Sequence, residues 1–184
     1  MRAALAAALI IIGALAANLA EAGGSHLYIF LGFGNMSPGL TEFAAKMEKR
    51  GIPTTVGSYA AASDFAQDAI AQYKRGRLSS IMIIGHSLGG GAAREMAAEL
   101  KEAGVPVRLV VALDPVGGPD VSSNVQRSVE IIHGDKEDHF SMIGEHEGEL
   151  RGLVLGEGPI RRSQAHPHAP EPRPDNNFNF GATN

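Results

Sequence analysis

The 184-residue chain contains no cysteine. Disulfide staples, thiolate zinc sites, iron–sulfur clusters and a cysteine nucleophile are thereby excluded. The compartment is not, since a sufficient core needs no bridge even in an oxidising space. Tryptophan is absent too, and three Tyr with seven Phe are too few for an aromatic platform under single-stranded nucleic acid. Charge is nearly balanced: 16 Lys and Arg face 20 Asp and Glu, a net charge of -4, which leaves no basic footprint for phosphate backbones. No nucleic-acid partner is expected. What remains is ordinary for a globular protein, with 44% hydrophobic and 20% charged residues over a length that suits one domain.

One long apolar run does occur, at the N-terminus. Arg2 precedes Ala3 to Ala20, and Ala20-Glu21-Ala22 then offers the small-x-small pattern that a signal peptidase cuts. Roughly 18 apolar residues also just suffice to span a bilayer, so an uncleaved anchor is the alternative, with residues 3–20 as the one expected membrane contact. Gly13 and Asn18 inside the run favour a signal peptide over residues 1–22. The expectation is an exported protein, periplasmic or secreted. From Glu157 onward the composition changes and holds five of the ten prolines. Such a segment cannot bury enough surface to offset its ordering entropy, so 157–184 reads as a disordered tail and 23–156 as the folded domain. His166 and His168 in that tail read as solvated.

Within the domain, short β-rich runs alternate with helix-length segments, and there is no internal repeat. Leu27 to Leu31 is a continuous apolar run broken by Gly32 and reads as a buried strand. Ser37-Pro38 can open a helix with Leu40, Phe43, Ala44 and Met47 on one face and Gly51 as its stop. Ile52 to Tyr59 suits an edge strand, because Pro53 cannot donate to a ladder. Ser63 can cap a helix to about Tyr73, with Phe65, Ala69, Ile70 and Tyr73 inward. Ser80 to Ile84 is a strand, Leu88 to Ala103 a helix ended by Gly104, and Val107 to Leu113 and Val129 to Ile132 are further strands. A last amphipathic helix is expected over roughly Glu147 to Leu155. Near-continuously apolar strands alternating with helices mean a parallel sheet covered on both faces, and right-handed crossovers restrict it to a doubly wound α/β arrangement of about five strands.

Chemistry concentrates at Gly85-His86-Ser87-Leu88-Gly89, a G-x-S-x-G sequence between a strand and a helix. A nucleophile elbow needs a tight, strained turn, and Gly on both sides of the Ser lets strand and helix approach without Cβ clashes. The turn lifts the Ser87 hydroxyl above the sheet edge and aims the Leu88 amide, at a helix N-terminus, toward a developing oxyanion. With GHSLGG the chain resembles the α/β-hydrolase superfamily, and most its lipase and esterase members. The resemblance spans about residues 27–155, with the elbow as its main specific motif.

That resemblance implies a chain order of Ser, then Asp or Glu, then His, the last two each after a later strand. Asp114 follows Val107 to Leu113 directly, in an LDP segment similar to the acid-bearing turn of some triglyceride lipases, at the sheet edge where doubly wound folds place their sites. The family's other acid position, one strand later, corresponds to Asp135 or Asp138. Capping a turn before Pro115 is the purely structural alternative for Asp114. Three histidines follow the last strand. His139, in Asp138-His139-Phe140-Ser141, is similar to the family's His-bearing loop. His133 emerges at the strand end with little freedom to reach sideways, and His146 reads as solvated in the final helix. His86 is too local to serve Ser87 as base, and that position is usually structural in the family. The second oxyanion donor is implied to come from the loop after the first strand, at Phe33, with Gly34 as alternative; Leu31 stands where many relatives have His.

The implied mechanism is acyl transfer to water: His139 takes the Ser87 proton, Asp114 orients and stabilises the imidazolium, and the Leu88 and Phe33 amides hold the oxyanion. It calls for no cofactor and no metal. Gly32-x-Gly34 half-matches a dinucleotide fingerprint, but Ser37 stands where a third Gly is needed. The run from His133 to His139 holds two His and three carboxylates that could ligate zinc, calcium or manganese, yet it lacks the spacing of known metal motifs. The connection from Val116 to Arg127 is too short for a cap domain. An open site with a shallow acyl pocket is therefore expected, suited to small or flexible esters or to an acyl group presented by another molecule. A thioesterase or amidase would use the same triad, and an exported, non-catalytic binding protein on the same fold is the alternative of a different class.

Overall fold

The computed structural model describes residues 23–134 and 138–157. The expected signal peptide, Asp135 and all of the expected tail beyond Glu157 lie outside the described residues. Five strands, β1 (Gly24–Leu31), β2 (Thr54–Ser58), β3 (Leu78–His86), β4 (Val107–Leu113) and β5 (Val125–Ile131), form one sheet in the order β2-β1-β3-β4-β5. Every neighbouring pair is parallel. Five helices accompany them: α1 (Leu40–Glu48), α2 (Ala62–Lys74), α3 (Leu88–Glu102), α4 (Met142–Glu145) and α5 (Glu147–Leu155). None of the described helices is long and apolar enough to cross a membrane. The fold is a minimal doubly wound α/β sheet, as the alternation of elements implies.

Strand side chains alternate between two cores because successive Cβ atoms point to opposite faces. Leu27 and Ile29 of β1, with Met82 and Ile84 of β3, pack beneath Leu40, Phe43 and Met47 of α1 and Leu150 and Leu153 of α5. Tyr28 and Phe30, with Ile81 and Ile83, pack on Ala66 and Ala69 of α2 and Ala93 and Met96 of α3. Central strands buried on both faces explain why LYIFL and SIMII read as unbroken apolar runs. β2 begins after Pro53 and lies at the sheet edge, where a missing donor costs no ladder bond.

Several boundaries differ from the sequence expectation, each for a local reason. α1 starts at Leu40 behind Gly39, whose φ of 95° only glycine adopts readily. The Ser37 side chain is engaged elsewhere instead of capping that helix. α2 starts at Ala62 behind a 3-10 turn, Tyr59–Ala61, which Ser58 caps by accepting the Ala60 N–H, so Ser63 is not the cap. β5 begins at Val125, earlier than Val129, because its polar side chains at Gln126, Arg127 and Ser128 hide the edge strand from an apolar reading. α4 is a single turn that periodicity could not reveal.

In the order β2-β1-β3-β4-β5 the chain leaves β1 in one direction for β2 and returns past it to β3. The β1/β3 boundary is the topological switch point, where the connections diverge and open a crevice at the carboxyl ends of the strands.

Candidate active site

Ser87 stands on the β3 side of that crevice and the Gly32–Asn35 loop on the β1 side. A Cβ built on Gly32 would lie 3.1 Å from the Ser87 Cβ, so the two walls touch at Ser87. Ser87 has φ 57° and ψ -124°, a strained conformation for a residue with a side chain. Its backbone is held there from three sides. The Ser87 N–H donates to the Leu113 carbonyl at 2.9 Å, and the Ser87 carbonyl accepts from Gly90 and Val116, each at 2.9 Å.

The glycine run that follows has a separate steric reason at each position. A Cβ on Gly85 would meet the Gly89 carbonyl oxygen at 1.9 Å, and one on Gly89 the Phe30 carbonyl oxygen at 2.2 Å. On Gly90 it would meet Pro115 at 2.7 Å, and on Gly91 the Val116 carbonyl oxygen at 2.6 Å. The first turn of α3 is thus wedged between the end of β1 and the loop carrying Asp114. Leu88 opens α3, with its amide in the electropositive first turn.

Asp114 follows β4 with φ 42° and is buried, and its own N–H donates to the Ile131 carbonyl at 2.8 Å. Three donors converge on its carboxylate. The His133 backbone N–H reaches Oδ1 at 2.9 Å, the His139 ring Nδ1 reaches Oδ2 at 3.0 Å, and the His133 ring Nδ1 bonds the same Oδ2. Burial alone would raise the Asp114 pKa above 3.8, but the hydrogen bonds from the His133 backbone and the two imidazoles outweigh it, and the net shift is downward. An ionised carboxylate only accepts, so both imidazoles donate from Nδ1, and in its neutral form each carries its lone pair on Nε2. That is the tautomer a general base needs.

His133, expected to have little sideways reach, therefore lies against Asp114. Since β4 and β5 are paired in register, Leu113 opposite Ile131, the residues just beyond their ends are neighbours without any reaching. His139 comes to the same carboxylate from the loop before α4, and its ring lies on that of His86, with centroids 4.5 Å apart and planes tilted by 38°. His86 directly precedes Ser87 at the elbow. The Asp138 Oδ1 accepts the Phe140 and Ser141 backbone N–H groups at 2.8 and 2.9 Å, a turn cap ahead of α4. His146 lies between α4 and α5 and pairs with Glu149 at 3.1 Å. Asp114, His133 and His139 also present three potential ligand atoms within 4.8 Å of one another. A cation there would have to displace the two Nδ1 protons that already satisfy the carboxylate.

Phe33 opens the 3-10 turn Phe33–Asn35 after β1. Backbone strain gathers in these loops: Asn35, Ser87 and Asp114 are the non-glycine residues with positive φ among the described residues. Exposed apolar surface gathers there as well. Phe33 and Met36 follow β1, Val116 and Val121 follow β4, and Ile132 and Phe140 follow β5; these are the exposed large hydrophobic residues among those described. Beside the site runs an open groove of about 450 Å³ with Met36, Pro38, Gly39 and Phe140 in its wall. The β4–β5 connection holds no helix.

No protein-family profile matches the chain, and no curated protein does. Among solved structures the chain is similar to an acetylxylan esterase, at a TM-score of 0.50 and 11% identity, over 73% of this chain and 98% of that one. Weaker likenesses extend to RedJ with a polyethylene glycol molecule in its active site, at a TM-score of 0.36 and 20% identity over 52% of this chain and 44% of that one. Human thioesterase 2 matches at 0.36 and 16% identity over 73% and 62%. The likeness to the acetylxylan esterase is one of fold, carried along nearly that protein's whole length.

Proposed function

We propose that the chain is a serine hydrolase of the α/β-hydrolase type that cleaves carboxylic esters through an acyl-enzyme. The observation that carries this reading is Ser87, strained on a strand-to-helix turn, beside a buried carboxylate that holds the His139 imidazole by Nδ1. His139 Nε2 takes the Ser87 Oγ proton as Oγ bonds to the ester carbonyl carbon, and the carbonyl π pair moves onto oxygen. The Leu88 and Phe33 amides stabilise that oxyanion. Collapse of the intermediate breaks the bond to the alcohol oxygen, which leaves with the proton from His139. Water repeats the sequence on the acyl-enzyme and releases the acid. Asp114 stays ionised throughout and fixes the tautomer.

His139 is assigned as base in preference to His133 because its ring rests on His86, next to Ser87. His133 supports the carboxylate, and its side chain is the more exposed, at 45% against 33%. The open groove and apolar rim favour an ester with a flexible acyl chain of modest length. The expected location remains outside the cytoplasm, with residues 1–22 as the export signal.

The test is labelling by a fluorophosphonate probe, read by intact mass, with Ser87→Ala as control. One adduct on the wild type and none on the variant is the expected result. A folded wild type that stays unlabelled overturns the assignment and favours a binding protein on the same fold. Comparing an activated ester with a thioester and an anilide then assigns the bond class.

A further inference from the structure

His86 is fully buried, yet it carries polar atoms that the proposed chemistry does not use. A buried imidazole must have both nitrogens satisfied, and the identity of the partners fixes its tautomer. Nε2 lies 2.8 Å from the His139 carbonyl, which can only accept, so Nε2 carries the proton. Nδ1 then holds a lone pair and accepts from the buried Ser37 hydroxyl at 2.9 Å. The Ser37 oxygen in turn accepts the Gly32 backbone N–H at 2.9 Å. Every direction in the series is determined: Gly32 N–H to Ser37 Oγ, Ser37 O–H to His86 Nδ1, His86 Nε2–H to the His139 carbonyl. Burial lowers the His86 pKa and keeps the ring neutral, as this series requires.

The two ends of the series are the two loops that the chemistry must bring together. Gly32 opens the turn holding Phe33, the second oxyanion donor, and His139 is the base. We propose that Ser37 and His86 are positioning residues, forming a relay that locks the oxyanion loop and the base-bearing loop in one geometry around Ser87. The roles of those loops rest on the proposed esterase reading; the mechanical coupling does not. His86 is well placed to couple them because it is the last residue of β3, with its backbone fixed by the sheet next to the nucleophile. Its ring also stacks on that of His139, and Phe140 closes on the pair at centroid distances of 5.2 Å and 6.3 Å. Neither loop is tied to the other by a shared strand; among the described residues this buried polar series links them across the crevice, beside the apolar packing of Gly39 and Leu40 against Ile143.

The experiment compares Ser37→Ala, His86→Gln and His86→Asn in the full chain. A glutamine amide reaches about as far as Nε2 and keeps a donor for the His139 carbonyl. An asparagine amide matches Nδ1 and stops short of it. Amide exchange over 32–37 and 139–143 reads the coupling without any activity. Ser37→Ala, which removes one oxygen, is expected to speed exchange about tenfold in both segments, 139–143 being the distant one, and to leave 147–155 unchanged. Exchange in 139–143 that stays at the wild-type rate overturns the relay. In fluorophosphonate labelling and ester turnover, His86→Gln, which keeps the His139 end of the series but gives up the Nδ1 acceptor for Ser37, should lose no more than about tenfold. His86→Asn should lose about 30-fold or more in kcat with KM little changed, as expected when a base is displaced by a fraction of an ångström. Equal losses in the two variants, or losses that follow Tm alone, overturn it as well. A folded wild type that does not react refutes the esterase reading, while the exchange result still decides the coupling.

Discussion

Replacing Gly85 with Ala tests whether the close approach of strand and helix at the elbow is required. The new Cβ would sit 1.9 Å from the Gly89 carbonyl oxygen, 2.3 Å from the Gly89 carbonyl carbon and 2.8 Å from the Gly90 nitrogen. All three are backbone atoms of the first turn of α3, so no rotamer change relieves the contact. The turn must retreat from β3 by about 1 Å or more. It cannot retreat freely, since Gly89, Gly90 and Gly91 are already against Phe30, Pro115 and Val116. Overpacking a well-filled core costs about 1–3 kcal/mol, and backbone obstruction places this case at the upper end or above, near 3 kcal/mol. That is a large fraction of the roughly 5–15 kcal/mol that holds a domain folded. A displacement of about 1 Å at Ser87 should also slow fluorophosphonate labelling about 100-fold. Gly148→Ala is the matched control: beyond its own stretch of helix a Cβ there would meet no atom within 4 Å, it sits in α5, and it should gain about 0.4–1 kcal/mol. Urea denaturation and labelling rates on both variants decide the matter. A Gly85→Ala protein within 1 kcal/mol and threefold of wild type would refute the steric account of the elbow.

Ser87→Gly relieves the φ of 57° whereas Ser87→Ala keeps it, so the Gly variant should be the more stable by about 1 kcal/mol even after its larger unfolded-state entropy; both should be unlabelled. Asp114→Asn should slow labelling about 10³–10⁴-fold, because an amide cannot enforce the Nδ1–H tautomer on His139. The same variant carries a pH signature. The Asp114 pKa is lowered by folding, so its stabilisation is present above the ordinary value of 3.8 and is lost as pH falls through the lower folded value. The stability difference from wild type, measured in urea, should be evident near pH 6 and shrink below about pH 3; a difference that grows on acidification would contradict it. Met36→Ser and Phe140→Ser should each reduce kcat/KM for an octanoyl ester several-fold relative to an acetyl ester, read across a p-nitrophenyl ester series, since each removes apolar surface from the groove.

The parts of this protein that a single sequence discloses are those whose cause is local. SIMII followed by GHSLGG carries its own explanation, a buried strand, a glycine-lined turn and a helix start within a few residues, and β3, Ser87 and α3 follow from it. α5 is found at Glu147–Leu155 for the same reason, since its apolar spacing is internal to the segment. What stays hidden is set by partners far along the chain. Ser37 reads as a helix opener because serine before proline commonly is one, and only the presence of His86, 49 residues on, diverts its hydroxyl. His133 reads as immobile because a strand end looks isolated until the register of β4 with β5 places it beside Asp114. His86 itself reads as structural, with nothing nearby in sequence to show that its Nε2 holds a carbonyl 53 residues away. The Ser87 elbow is built from one turn, and one turn can be read; His139, Asp114 and the Gly32–Asn35 loop are held by contacts between loops at the ends of different strands. The reactivity of Ser87 should therefore be more sensitive to Ser37 and His86 than to any residue of the two hydrophobic cores with comparable effect on stability.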